Sequence, residues 1–394
     1  MTKNKLVSFI MIYLMLIGTA VNSKADEQGR IKNSYLGGSY SLTDPSGDVY
    51  DITNGAIDNS KYDLKTVQQA VYNQDIGDHL VSKDGELIAI TISAAGDVTM
   101  GRDDANGYEN SFDHQFEMQN RDYKYFFRNV REIFEKDDLT IVNLETTLTD
   151  QNKKAIKKFT FKGDPAYTQI LSEGSIEAVN IANNHIYDYL EKGYEDTLTN
   201  LEKAGIGYFG YEHQYIKEVK GIKIGLIGYK GWDNSDSGKN EIKKAMEKLK
   251  QADVQLIIVS FHWGQENAYY PNDVQKDLAQ FVVDQGANLV LGHHPHVLQG
   301  ISDRYKDGNE DNRPVKIIYS LGNFSFGGNR NPKDKDTMIY RHTFYFRNTE
   351  LIEEEYEVIP ASISSVKNRN NYQPTPLEGE EADQVLRKIN KLRV

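Results

Sequence analysis

Six short polar clusters in this chain combine residue types that hold divalent ions and move protons. They are Asp97-Val98-Thr99-Met100-Gly101-Arg102, Asn143-Leu144-Glu145, Asn183-Asn184-His185 with Asp188, His262-Trp263-Gly264-Gln265-Glu266, Gly292-His293-His294-Pro295-His296 and Leu321-Gly322-Asn323-Phe324. Carboxylate oxygens mixed with amide and imidazole donors suit Mn, Fe, Zn or Mg rather than a soft, thiolate-bound ion. Five of the nine histidines fall in this set, enough to feed one or two ions. A pair of ions clamps the attacking and leaving oxygens of a displacement. Taken singly, His262 reads as a satisfied core residue, Asp97 and Glu145 as turn formers, and Asn184-His185 as a helix cap. Three imidazoles within His293–His296, stiffened by Pro295, serve an ordinary loop poorly. The isolated His79, His114, His213 and His342 read as surface or satisfied residues, and the charge runs Asp103-Asp104 and Lys153–Lys158 as solvated surface.

Position makes the clusters one set. From about Glu86 onward, short runs rich in Ile, Val and Leu alternate with longer amphipathic stretches. The runs are Leu87–Ala95, Leu139–Leu144, Ile176–Ala182, Ile222–Tyr229, Val254–Phe261, Asn288–Leu291 and Val315–Leu321, and the helical candidates are Asp122–Lys136, Tyr189–Ala204, Lys239–Ala252 and Asn272–Gln285. Continuous apolar strands alternating with helices predict an α/β sheet buried on both faces. Nearly every run ends in one of the polar clusters, always on its C-terminal side. Strand carboxyl ends share the edge where α/β proteins bind ligands, so residues scattered from 97 to 323 converge on one pocket. After Arg341 the pattern becomes alternating, which predicts closing antiparallel strands.

The remainder bounds the function. Lys3 and Lys5 precede an apolar run from Leu6 to Gly18, with Ser23 and Ala25 placed as a cleavage site, so residues 1–25 read as a signal peptide or signal-anchor and the bulk as extracytoplasmic, secreted or held at the membrane. Residues 26–86 read as a loosely packed extension. The absence of cysteine rules out disulfides, a thiolate zinc site and a cysteine nucleophile. A net charge of −12 argues against nucleic acid as a partner. The string Gly205-Ile206-Gly207-Tyr208-Phe209-Gly210 follows a helix instead of preceding one, so it reads as a helix stop and not a dinucleotide site.

Gly96-Asp97-x-x-Met100-Gly-Arg, Asn143-Leu-Glu145, Asn184-His185-x-x-Asp188, His262-Trp-Gly-x-Glu266, His294-Pro-His296 and Leu-Gly-Asn323-Phe together resemble the CapA family of poly-γ-glutamate capsule biosynthesis proteins, within the calcineurin-like metallophosphoesterase group. The resemblance covers roughly residues 87–363, leaving 364–394 as a C-terminal tail with a helix. It implies a four-layer α/β/β/α sandwich of two mixed sheets. It further implies Asp97, Glu145, Asn184, His262, His294 and His296 as metal ligands, and His185 with Asp188 as the catalytic pair that protonates a leaving group. Arg102, Asn143, Glu266, His293 and Asn323 would then contact substrate. Two departures stand out. Thr99 occupies the position where the wider group places a second ligand, and Asn143 with Glu145 replaces the usual bridging aspartate. The expected role is capsule poly-γ-glutamate synthesis or export with a metal-dependent hydrolase site. A non-catalytic subunit partnering a membrane synthase is the alternative, and a secreted nucleotidase shares the same pocket.

Overall fold

The computed structural model describes residues Gly85–Arg393 continuously, preceded by short strand segments between Ser23 and Ser82. The expected leader or anchor falls largely on Met1–Asn22, outside the described residues. Among the described residues no helix is long and apolar enough to cross a membrane. The chain divides into two compact units, Met1–Ala89 with Phe344–Glu355, and Ile90–Thr343 with Tyr356–Val394. In the first, Ser39–Thr43, Val49–Thr53, Ala56–Ile57 and Val81–Ser82 are joined by antiparallel pairing. The second carries the polar clusters and includes residues 364–394, whose helix Gly379–Lys391 buries Val385 and Ile389.

Two sheets organise this second unit. In one, Gly207–Phe209, Ala178–Asn180, Leu139–Leu144, the strand ending at Thr99 and Asn323–Phe326 lie side by side, all parallel. In the other, Ile222–Gly231, Leu256–Trp263, Leu289–His293 and Val315–Ile318 are parallel, flanked by antiparallel edges Tyr215–Val219 and Ile301–Arg304. Parallel strands need crossovers, and the amphipathic helices supply them. Helices Phe112–Met118, Thr168–Glu173 and Leu190–Ala204 cover one face of the first sheet through Phe112, Phe116, Ile170 and Leu201, packed with Val142 and Val179. Helices Asp236–Gln251 and Asp273–Asp284 cover the second sheet through Met246, Leu249, Leu278 and Val282. The latter helix opens with an Asn272–Gln275 capping box, and Leu190–Ala204 stops at Gly205 in the left-handed region, as the glycine string predicts.

Strand periodicity does the rest. On Leu256–Trp263 the residues Ile257, Val259, Phe261 and Trp263 join the helix-side core, which turns His262 toward the opposite sheet. Val142 and Leu144 likewise face the helices, turning Asn143 inward, where its amide lies 3.1 Å from His262 Nδ1. The sheets therefore pack face to face with helices outside, a four-layer α/β/β/α sandwich.

Two expectations change. Asp122–Lys136 is mainly a succession of turns, with helix only at Arg131–Phe134; Tyr125, Phe126, Phe127, Val130 and Phe134 are buried at a spacing too irregular for one helical face. The run Val315–Leu321 is not one strand. It leaves the second sheet after Ile318, crosses, and enters the first sheet at Asn323 opposite Asp97. Glycines make room for the crossover. A Cβ at Gly96 would sit 2.0 Å from Gly322 O, and one at Gly292 would sit 2.1 Å from Tyr319 O. Because both obstacles are backbone, Gly292→Ala is expected to destabilise the fold by about 2–3 kcal/mol, read as an earlier urea midpoint; an unchanged midpoint would show that the crossover is not tightly seated.

Candidate metal centre

Each donor is delivered by the end of a strand or the turn that follows it. Asp97 lies two residues before the end of its strand, and Glu145 directly follows Leu139–Leu144. Asn184 and His185 lie in the turn after Ala178–Asn180, His262 one residue before the end of its strand, and His294 and His296 just beyond Leu289–His293. His294 and His296 both hold positive φ, at 95° and 59°. Such backbone is costly for a residue with a Cβ and persists where the surroundings impose it, commonly at functional sites.

The donors converge in two overlapping groups. Glu145, His262 and His294 bring ligand atoms within 4.8 Å of one another, and so do Asp97, Glu145 and His296. Glu145 belongs to both. Its Oε1 lies 3.5 Å from His262 Nε2 and 3.8 Å from His296 Nε2. Asn184 Oδ1 is 2.7 Å from the same His262 Nε2. Exposed Glu266 forms a third group with His294 and His296. Thr99, at the departure noted above, contributes only a buried hydroxyl with no hydrogen-bond partner.

Glu145 tests the fit to a cation. It is fully buried, and neither carboxylate oxygen has a hydrogen-bond partner. A buried carboxylate without hydrogen bonds is among the costliest groups a fold can carry, whereas between two divalent ions it would be well placed. The donor set of carboxylates, imidazoles and an amide is that of a hard or borderline ion. Glu145, common to both groups, would take the place of the usual bridging aspartate.

The electrostatics follow from this crowding. Burial drives Glu145 well above the usual carboxylate range, with Asp97 and Glu266 adding to the rise and His296 opposing it. Burial acts against His296 too, yet Glu145 and Asp97 overcome it and raise the ring to about 9. Asp97 is pushed up by burial but held below its ordinary value by the His296 hydrogen bond and by His296 and His293. Burial lowers His293 and His294 to about 4, with His296 assisting at His294, and takes His262 well below the ordinary histidine value.

Supporting contacts hold these side chains. Asn143 donates to Asp97 Oδ1 at 2.8 Å while lying against His262, and receives Asn180 Nδ2 at 3.0 Å. Asn323 Oδ1 lies 2.9 Å from His296 Nδ1. His293 is fully buried, 3.6 Å from Asp97 Oδ1. Asn143, His293 and Asn323, expected on substrate, are thus buried among the ligands, where strand alternation and the crossover place them. Arg102 also departs: its guanidinium pairs with Asp113 at 3.0 Å and Asp104 at 3.3 Å. Glu266 alone of the expected contact residues is exposed beside the ligands.

His185 and Asp188 do meet, Nδ1 to Oδ2 at 2.7 Å, with His185 Nε2 3.8 Å from Glu145 Oε1. Phe161 N donates to the same Asp188 oxygen at 2.6 Å, and Lys157 Nζ reaches Oδ1 at 2.7 Å. Lys157 was hidden in a lysine run that reads as solvated. Asp103 is equally misjudged: it is buried and accepts from Thr160 N at 2.9 Å. Trp232, its ring 4.7 Å from that of His294, carried no sequence signal beyond being one of two tryptophans.

This α/β/β/α layering, with hard-ion donors at the strand ends of two facing sheets, is the arrangement that the family resemblance implies. Comparison with known proteins is more specific. Residues 91–328 match the family described as bacterial capsule synthesis protein PGA_cap, and the chain belongs to that family. It is 28% identical over 302 residues to the capsule biosynthesis protein CapA of Bacillus anthracis, covering 70% of this chain and 67% of that one. It is 32% identical over 262 residues to the PGA biosynthesis protein CapA of Bacillus subtilis strain 168, covering 60% and 63%. About a third of each relative lies outside the match. Among solved structures, a hypothetical protein from Thermus thermophilus aligns at 14% identity and TM-score 0.44, covering 69% of this chain and 99% of that one. A novel phosphatase from Mycoplasma pneumoniae aligns at 14% and 0.41, covering 70% and 95%.

Because the His296 ring is raised to about 9 and must lose its proton before it can hold an ion, Mn affinity should rise with pH up to about 9, by about tenfold per pH unit for each proton released. Calorimetry in two buffers of different ionisation enthalpy reads that release directly, and a buffer-independent heat would contradict it.

Proposed function

We propose that this chain is a metal-dependent hydrolase that acts outside the cytoplasm in the synthesis or export of a poly-γ-glutamate capsule. Family membership supports the capsule role, and the two CapA relatives point to the polymer. The observation that carries the chemistry is the His185–Asp188 pair set beside a carboxylate shared by two ligand groups. Glu145, His262 and His294, with Asn184, would hold one ion, and Asp97, Glu145 and His296 the other. When bound, such ions supply Lewis acidity and neutralise charge developing on the scissile group.

The chain's own residues do the remainder. Asp188 takes the Nδ1 side of His185, which directs Nε2 toward the ligands and fits it to deliver a proton to the departing atom. Phe161 N and Lys157 fix Asp188 in turn, while burial lowers His185 despite the pull of Asp188. A ring of lowered basicity gives up its proton readily. The scissile bond is a phosphoester or an amide. In the cell the partners would be membrane synthase subunits, with the N-terminal segment deciding whether the protein is secreted or stays on the membrane.

The test is turnover of a model phosphodiester and of poly-γ-glutamate by metal-loaded protein. His185→Asn should lower kcat by about 10²–10⁴-fold with the metal content unchanged. Wild-type turnover in that variant would remove His185 from the mechanism. Glu145→Gln should abolish turnover and reduce bound metal together, since one residue serves both ligand groups.

A further inference from the structure

The loop from Gln151 to Gly163 contains five lysines and no acidic residue, in a chain whose net charge is −12. It is not a loose strip of surface. Asp103 Oδ2 accepts from Thr160 N, Asp188 Oδ2 from Phe161 N, and the Asp188 carbonyl from Ala155 N at 2.8 Å. Lys162–Gly163 pairs with Thr147–Leu148, and the Phe161 ring lies 4.3 Å from that of His185. Lys157 turns inward from this frame, to Asp188 Oδ1 and the Asn184 carbonyl, both at 2.7 Å. Lys153, Lys154 and Lys158 stay exposed.

A sixth lysine comes from the other sheet. Lys230 is the register partner of His262 in the neighbouring strand, and it is exposed, with its ammonium 5.3 Å from the Tyr211 ring centroid. Lys157 and Lys230 bring one ammonium group beside the His185–Asp188 pair and another to the strand position paired with His262. Positive charge thus stands at two places by the ligand groups, one source beside His185 and the other beside His262. Elsewhere an acidic chain repels polyanions, so a local basic mouth determines where one can approach.

We propose that the Gln151–Gly163 loop is a docking loop for an anionic polymer chain, which Lys153, Lys154 and Lys158 attract and which continues past Lys230 over the candidate metal centre. Lys157 is a positioning residue that ties the seated loop to the His185–Asp188 pair. The proposal rests on the capsule-polymer reading above, but its main test needs no turnover. Ile156 is fully exposed and Phe159 is 39% exposed, so the same loop has the composition of a membrane-surface contact. The inward contacts of Lys157 and the position of Lys230 in register with His262 favour the polymer.

The experiment measures binding of fluorescein-labelled poly-γ-glutamate to the full chain loaded with Mn, at low and high salt, by anisotropy. The Lys153→Gln/Lys154→Gln/Lys158→Gln variant should bind roughly tenfold more weakly and lose most of its salt dependence. A control with Lys243, Lys244 and Lys248 changed to Gln, on the exposed face of helix Asp236–Gln251, should bind as the parent does. Equal binding by the loop variant and the parent would overturn the proposal. So would a loop variant that loses binding to phosphatidylglycerol vesicles while keeping its polymer affinity. Where turnover is measurable, the loop variant should raise KM with kcat unchanged. Lys157→Met should instead lower kcat with polymer affinity within about threefold of the parent, and Lys157→Arg should restore part of it.

Discussion

A fully buried carboxylate with no hydrogen-bond partner, Glu145, sets the terms for the rest of this structure. Taking such a charge out of water costs several kcal/mol even after the surroundings relax. Without an ion the site can lessen that cost only by protonating Glu145 or by charging His296 beside it, the directions in which the two groups are displaced. A cation does so without moving protons into the wrong places. The overlap of two ligand groups on one carboxylate then makes a paired site the simplest solution, and it explains how the centre stands without the usual bridging aspartate and with Thr99 where a second ligand would be.

The scaffold is arranged to bring donors from two sheets to that carboxylate. Asn143 touches Asp97 of its own sheet and His262 of the other, so one amide sets the spacing between the halves of the site. The crossover from Ile318 to Asn323 performs a similar service, passing from the second sheet into the first and bringing Asn323 against His296. Gly96 and Gly292 admit its backbone at distances no side chain would allow. Left-handed backbone at His294 and His296 is local strain held by packing. These features belong to preorganisation, in which ligands are held before the ion arrives.

Much of this was legible in the sequence because strand ends in α/β sheets collect ligands, and the order of apolar runs showed where those ends lie. The convergence of the clusters that hold Asp97, Glu145, Asn184, His262, His294 and His296 needed only that rule, whereas their reading as metal ligands came from the family resemblance. Side-chain direction was less legible. Asn143, His293 and Asn323 sit in the same clusters as the ligands, but alternation along a strand turns them to the interior, and cluster membership alone does not reveal it. The stretch at Asp122–Lys136 mimicked a helix because its aromatic residues are closely spaced, not evenly spaced. The lysines of Gln151–Gly163 were opaque for a different reason. A charge run reads as solvated until a long-range contact, here Lys157 to Asp188 across 31 positions, shows one member pointing inward.

The account therefore turns on the number and place of ions gathered by Glu145. Anomalous diffraction from crystals of the full chain grown with Mn should show two peaks about 3.5–4 Å apart, both bonded to Glu145. Peaks lying away from Glu145, or none among these side chains, would contradict it.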